Sequence, residues 1–297
     1  MTPPDAPAAV RGTGPDPATG AAPGYRAART LRFGVELRRQ LLRRRTLVLA
    51  ACSVLLPVLL LVSLRIGHPT QTATTVDYEV LAAKSAPNFV MYVLFVAGSY
   101  LNAVFTAVLM ADSIAGEAAH AGLKYLLAIP VPRLRLLWRK AVVSGLLTAA
   151  VVSLGPLAAV VLGTVWLGTG DLMTPSGYTL PFGQGLSLLA TAQLYAVLQL
   201  VWLGGLALLL SVSTDAPLAA VGCTVLASTA AQILDQVSAL GALRDVLPSH
   251  HTWAWMELLS SDPGWSSVVH GVLVSTVYAC GFGVLAAHRF ARKDITS

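Results

Sequence analysis

Charge is scarce in this chain. Of its 297 residues only 11% are Asp, Glu, Lys or Arg and 55% are hydrophobic, against about 25% charged and 45–50% apolar in an ordinary soluble domain. Water is therefore not the main solvent of its body, as the mean hydropathy of +0.69 also indicates. Cysteine is rare too. Cys52, Cys223 and Cys280 each fall inside an apolar run, which excludes an extracellular disulfide framework and leaves them as small hydrophobes. There is no Gly-x-x-x-x-Gly-Lys-Ser/Thr loop to cradle phosphates. No soluble nucleic-acid-binding motif accompanies the net charge of +6, so that charge is read as topological and nucleic acid is not an expected partner.

What is present is a series of long uncharged segments behind a low-complexity start. Residues 1–27, rich in Pro, Ala, Gly and Thr, bury too little apolar surface to fold alone and are expected to form a disordered tail. No hydrophobic signal region precedes Thr46, so the first apolar run reads as retained. About 20 residues of helix cross a hydrocarbon core. Six segments meet that length: Thr46 to Leu64, Pro87 to Met110, Ala141 to Leu167, Leu186 to Ser211, Pro217 to Leu234 and Ser266 to His288. Pro57 and Pro156 lie inside the first and third, where kinks are expected but tolerated. The fold class is an all-α membrane protein of six transmembrane helices over residues 46–297.

Lys and Arg concentrate in cytoplasmic loops. Seventeen of the twenty lie before the first segment, between the second and third, or after the sixth, and the other side keeps only Arg65, Lys84 and Arg244. Both termini are thus expected in the cytoplasm. Residues 28–45 form an amphipathic pattern, with Leu31, Val35, Leu37, Leu41 and Leu42 on one helical face and Arg32, Arg39 and Arg43 on the other. This segment suits a helix lying in the headgroup layer, although its arginines also serve simply to fix topology.

The loop 111–140 reads ADSIAGEAAHAGLKYLLAIPVPRLRLLWRK. Ile114, Ala118, Ala121 and Tyr125 recur at helical spacing, and Pro130 and Pro132 should end that helix. A short helix held at the membrane surface by two spans is suited to enter a groove on a soluble partner. Arg133, Arg135, Arg139 and Lys140 anchor the loop by the positive-inside rule or contact that partner, and Trp138 is read as an interfacial anchor.

Glu117, the Gly-Leu-x-Tyr-Leu-Leu of Gly122 to Leu127, the Pro-x-Pro-Arg of Pro130 to Arg133, and Lys140 together resemble the cytoplasmic loop of ABC-2-type transporter permeases. The Phe-x-x-Glu-Leu-Arg-Arg of Phe33 to Arg39 and the Arg-Lys-Asp-Ile of Arg292 to Ile295 extend the resemblance. It implies the permease subunit of an ATP-driven exporter, an efflux component with no catalytic site of its own. ATP and magnesium would be used by a separate ABC ATPase, expected in two copies, and the permease would pair with a second protomer, identical or closely related. No cofactor or metal is expected on this chain. The coupling residues implied are Glu117, Gly122, Leu123, Tyr125, Leu126, Leu127, Pro130, Pro132 and Arg133, with arginines of the preceding amphipathic segment as partners for Glu117.

Two polar stripes run within the membrane segments. Ser99, Asn102 and Thr106, continued by Ser113, share one helical face of the second, while Thr224, Ser228 and Gln232 share one of the fifth. Such stripes face protein or water rather than lipid. They are ordinary helix–helix contacts or, as the resemblance implies, the substrate path between protomers. Gln193 and Gln199 are read as packing. The external loop 235–265 holds His250, His251 and three tryptophans; adjacent histidines with no further spaced ligand argue against a metal. An ion-gradient-driven transporter would show buried charge at mid-membrane, and an intramembrane enzyme a nucleophile and base; the segments supply neither, and His270 has no evident partner in sequence.

Overall fold

The computed structural model describes residues 33–67, 78–119, 133–260 and 264–292. Nearly all of them are helical. α1 (Phe33–Leu41) is followed after a two-residue turn by α2 (Arg44–Ile66), and then by the short α3 (Tyr78–Ala82). α4 (Ala86–Val96) runs through a π-helical turn (Ala97–Leu101) into α5 (Asn102–Ala119). α6 (Arg133–Trp166) is the longest helix; α7 (Phe182–Gln199), α8 (Val201–Ser213) and α9 (Pro217–Asp235) follow, and α10 (Trp265–Arg292) closes the order. Two 3-10 segments, Ser238–Val246 and His250–Leu259, connect α9 to α10.

Five stretches are long and apolar enough to cross a membrane: Arg44–Ile66, Leu134–Trp166, Phe182–Ser213, Pro217–Asp235 and Trp265–Arg292. The second segment expected from sequence, Pro87 to Met110, is built differently: α4, the π turn and α5 form one continuous run in three pieces, none of which reaches that length and apolarity alone. The small residues Ala97, Gly98 and Ser99 occupy the turn, and the Trp253 ring lies 3.5 Å from where a Cβ on Gly98 would sit. The fourth segment is jointed as well. At the α7–α8 joint, Leu200, the Trp202 amide is 3.3 Å from the Ser275 hydroxyl of α10, a side chain inserted into the helix ladder.

These helices have wide apolar faces open to the surroundings, including Leu55, Leu59 and Val62 on α2 and Val269, Leu273 and Val277 on α10. In water such surface would drive aggregation; in a bilayer it is the lipid-facing side. The faces turned inward carry small and hydroxyl residues. On α2 only Thr46, Ser53, Pro57 and Leu61 are buried, and Ser53 Oγ donates to Val151 O of α6 at 2.7 Å, beside Gly155. α8 and α10 cross at Gly205, where an added Cβ would meet the Ala279 backbone at 3.0 Å. Close backbone approach through small residues is how helices associate when lipid supplies no hydrophobic drive.

The bundle has two unlike ends. The arginine-rich end holds α1, the start of α2 and α6, and the close of α5, α8 and α10. Its apolar cluster includes Ile114, Leu137, Leu208 and Phe290. The opposite end, called the histidine end below, is capped by the hairpin β1 (Leu172–Met173) and β2 (Thr179–Leu180) and by the 3-10 segment His250–Leu259. Asn88, fully buried in α4, pins the hairpin by donating to Met173 O at 2.8 Å and accepting from Met173 N at 2.9 Å. Trp255, Leu258 and Leu259 are buried, so this connection is packed into the bundle end rather than looped away from it.

Candidate functional site

At the arginine-rich end, ion pairs tie four helices together. α1 presents Glu36 and Gln40, one helical turn apart, to α6, while Val35, Leu41 and Leu42 remain exposed on its other sides. Lys140 of α6 is 2% exposed and lies 3.5 Å from Glu36 Oε1; Gln40 Nε2 donates to the same oxygen at 2.8 Å. The Ser144 hydroxyl donates to Gln40 Oε1 at 3.1 Å, and Thr46 Oγ1 to the Gln40 carbonyl at 2.7 Å. Burial by itself would raise the Glu36 carboxyl, but the charge of Lys140, the Gln40 hydrogen bond and Arg39 outweigh it and hold the group below the usual carboxylate range. Lys140 is thus neither a surface anchor nor exposed to a soluble partner, as its position in a basic loop implied; its charge is matched inside the protein.

Asp112 of α5 is the second anchor. It pairs with Arg45 and, at 3.4 Å, with Arg43. The amphipathic segment expected as far as Arg45 therefore ends as a helix at Leu41, and the arginines at the turn into α2 reach across to α5. At the same level, the Ser211 hydroxyl of α8 donates to Ala111 O at 2.5 Å and accepts the Ala115 amide at 2.9 Å. Those two backbone groups form one rung of the α5 ladder, which is α-helical throughout, so a side chain from a neighbouring helix braces that rung.

Immediately beyond this rung begins the stretch that resembles a coupling loop. Gly122, Leu123, Tyr125, Leu126, Leu127, Pro130 and Pro132 lie outside the described residues. Glu117 falls near the end of α5 and Arg133 opens α6, both with side chains outside the described set.

The polar stripes divide by depth. Thr106 and Thr224, both buried, donate back to their own helices, to Asn102 O and Ala220 O at 2.7 Å each, and so need no other partner. Asn102, Ser228 and Gln232 instead line a chamber of about 50 Å³ together with Gln199, Ser249 and Thr252. The rest of its wall is apolar, with Gly98 of the π turn, Trp202, Trp255, Leu94, Ala192 and Leu203 among the lining residues. Asn102 is 6% and Ser228 4% exposed, and among the described residues neither side chain makes a hydrogen bond. Gln199 Nε2 donates to Pro248 O at 2.5 Å, while its buried Oε1 has no partner. Among the described residues that oxygen is the chamber's one buried polar atom without a partner, and it costs about 1–3 kcal/mol unless something fills the space. Ser99 sits in the π turn with its side chain outside the described set. A separate apolar groove of about 380 Å³ lies between α5, α6, α8 and α10, lined by Trp138, Gly145, Gly205 and Cys280 among others.

At the histidine end, three imidazoles meet. His250 and His251 have ring centroids 5.1 Å apart, and His251 lies 4.8 Å from His270 of α10. His250 Nδ1 is 2.6 Å from Asp235 and its Nε2 3.4 Å from Asp245. Tyr195 donates to His251 O at 2.5 Å, which fastens the 3-10 segment to α7. Burial, with the neighbouring His250 and His270, lowers the His251 imidazole below its ordinary value despite the hydrogen bond to the Asp245 carbonyl. Among the described residues no group of three or more His, Cys, Asp or Glu is disposed to hold a metal ion.

The sequence singled out the stripe residues that face the chamber, quoted Glu36 only within the motif Phe33 to Arg39 and named Gln199 only as packing, and did not single out Gln40, Asp112 and Ser211. The i, i+4 spacing of Glu36 and Gln40 was a further local signal.

Residues 39–231 match the model of a family described as ABC-2 family transporter protein, and no curated protein matches the chain. The matched stretch takes in the turn into α2, all three pieces of the π-interrupted run and most of α9. With helices of membrane-crossing length on both sides of the ion-paired end, the chain is a multi-pass membrane protein, and it belongs to the ABC-2 family, the membrane components of ABC transporters.

Proposed function

We propose that this chain is the permease subunit of an ATP-driven exporter, with six crossings, both termini in the cytoplasm and the arginine-rich end facing a separate ATPase. The observation that carries this reading is the convergence of α1, α2, α5 and α6 on the Glu36–Lys140 and Asp112–Arg43/Arg45 contacts, at the end from which α5 and α6 lead into residues 120–132. A push on that segment would move four helices as one body rather than bend a single loop. The charge asymmetry of the sequence supports the orientation. The absence of a phosphate-binding loop supports a partner that uses ATP and magnesium, present in two copies.

Glu117, Gly122, Leu123, Tyr125, Leu126, Leu127, Pro130, Pro132 and Arg133 receive the motion in this reading, and Ser99, Asn102, Thr106, Thr224, Ser228 and Gln232 border the route of the cargo. A second protomer, identical or closely related, completes that route. The functional units are then a tail over 1–27, an interfacial segment over 28–45, and a transmembrane domain over 46–297 with its coupling loop at 111–140 and external loop at 235–265.

The test is co-purification of the tagged full-length chain from its native membrane, followed by ATPase assays of the complex in lipid nanodiscs. An ABC ATPase should co-purify, and Glu117→Ala should leave insertion and expression unchanged while lowering the coupling of hydrolysis to transport. Recovery of the chain without any ATPase, or external accessibility of Phe33–Leu41 to protease, would overturn the reading.

A further inference from the structure

The chamber beneath the 3-10 segment His250–Leu259 gathers polar side chains from several elements in one space, and Gln199, like Gln193 elsewhere on α7, keeps a buried oxygen without a partner among the described residues. Elsewhere, hydroxyls are satisfied by their own helix or by a neighbouring carbonyl, as at Thr106, Thr224 and Ser53. Here three amides and three hydroxyls from α5, α7, α9 and the capping segment converge on one space whose remaining wall is apolar, and among the described residues no acidic or basic side chain lines it. The unpartnered group is an acceptor, Gln199 Oε1, fixed in place because the other end of the same amide holds Pro248 O. A fixed acceptor needs a donor. Asn102, Ser228 and Gln232 can each donate or accept, so they adapt to whatever the occupant offers. A bare cation would leave the amide N–H groups unserved and would find no carboxylate, so an uncharged donor fits better. A chamber of about 50 Å³ has room for roughly three water-sized groups.

We propose that this chamber is a binding site for an uncharged hydrogen-bond-donating group, held by ordered water at rest and taken over by a hydroxyl or amide of the cargo during transport. The second half rests on the permease reading; the first does not. Capping is part of the design. Ser249, Thr252 and Trp255 come from the capping segment, and Ser249 also ties that segment to α9 by donating to Ala231 O at 2.8 Å. On the other wall, the π turn sets Gly98 and Asn102 toward the same space. An occupant bonded to both walls would hold the cap shut, and its departure would free it.

X-ray radiolytic labelling of the full-length chain in phosphatidylethanolamine–phosphatidylglycerol nanodiscs tests this, because water bound beside a buried side chain generates the radical that labels it. Trp255, 3% exposed, should be labelled readily, unlike Phe89, which is fully buried in apolar packing. The label on Trp255 should be lost in an Asn102→Leu/Ser228→Val variant, with Ser228→Ala as the milder change and Trp166 as the exposed reference. Silence of Trp255 in the wild-type chain would overturn the proposal even where an ABC ATPase co-purifies and the permease reading stands. For the cargo half, acetamide is the probe. It should lower the labelling of Trp255 relative to Trp166, and its cationic isostere acetamidinium should not. Equal indifference to both would overturn occupation by a cargo group, and a response to acetamidinium, alone or with acetamide, would overturn the uncharged character of the site.

Discussion

The two ends of the bundle hold their helices by different means. At the arginine-rich end full charges face one another, with Lys140 buried against Glu36 and Asp112 set between two arginines. At the histidine end the fastenings into the bundle are neutral hydrogen bonds, and the charged contacts, Arg244–Asp235 at 3.5 Å among them, lie between α9 and the 3-10 segments: an amide pins the hairpin, a tyrosine hydroxyl fastens the 3-10 cap, and Gln199 holds the Pro248 carbonyl. A buried charge keeps its partner because separating the two exposes each to the full cost of desolvation. A neutral hydrogen bond nets only about 0.5–1.5 kcal/mol and can be exchanged for water. One end is therefore suited to move as a unit and the other to open and close.

The sharpest break in this contrast is Lys140→Met. It leaves Glu36 buried without its closest cation and should destabilise the protein by about 3 kcal/mol, somewhat less than a fully isolated pair because Arg39 remains 3.8 Å away. Thermal unfolding in detergent checks it, and Glu36→Gln in the same background should recover most of the loss. Next comes Gly205→Leu, which forces a side chain against the Ala279 backbone and should cost about 1–3 kcal/mol. Gly145→Ala, with nothing within 4 Å of the new Cβ, should cost nothing measurable by the same assay.

A smaller effect is expected at the bridged rung. Ser211→Ala removes a hydroxyl that serves both Ala111 O and Ala115 N, and should cost about 1 kcal/mol. Hydrogen exchange should then rise locally at Ala115.

The smallest effect separates the two ends by pH. Because the His251 imidazole is lowered in the folded protein, the unfolded chain binds its proton first. Stability is full above the unfolded value of about 6.5 and falls as pH drops below it, until the folded group also protonates. Glu36 is lowered as well, so its contribution is present above about pH 4.3 and lost only as pH falls through the still lower folded value. Acidification from neutral to about pH 5.5 should thus lower the amide protection factors, with the intrinsic pH dependence of exchange divided out, in His250–Leu259 and leave those of Phe33–Gln40 unchanged. His250, His270, Asp235, Asp245, Arg244 and Glu257 surround the same region, so His251→Gln should reduce the response without abolishing it.

How far the sequence foretold this arrangement depends on where the cause of each feature lies. The apolar segments were legible because length and absence of charge are local properties, and five of the six appear as helices of crossing length. The joint at Leu200 was hidden because its cause is Ser275, on another helix. Lys140 was misread for the same reason: a basic residue in a basic loop looks like an anchor until Glu36, 104 positions away, is seen beside it. The π turn left only a faint mark, the small residues Ala97, Gly98 and Ser99. Of the stripe residues, spacing told which share a face but not which satisfy themselves. Thr106 and Thr224 do so through their own backbone, whereas Asn102 and Ser228 do not.

The serine bridges have a mechanical consequence. An uninterrupted helix transmits displacement along its axis like a stiff rod, and bending it ruptures a rung. Where the Ser275 hydroxyl meets the Trp202 amide and faces the Leu198 and Gln199 carbonyls, α7 and α8 are connected through a rotatable group, which can lengthen or swing while the backbone keeps a partner. That run flexes at Leu200 with little enthalpic penalty, whereas α5 stays α-helical from Asn102 to Ala119 and Ser211 braces its ladder from the side.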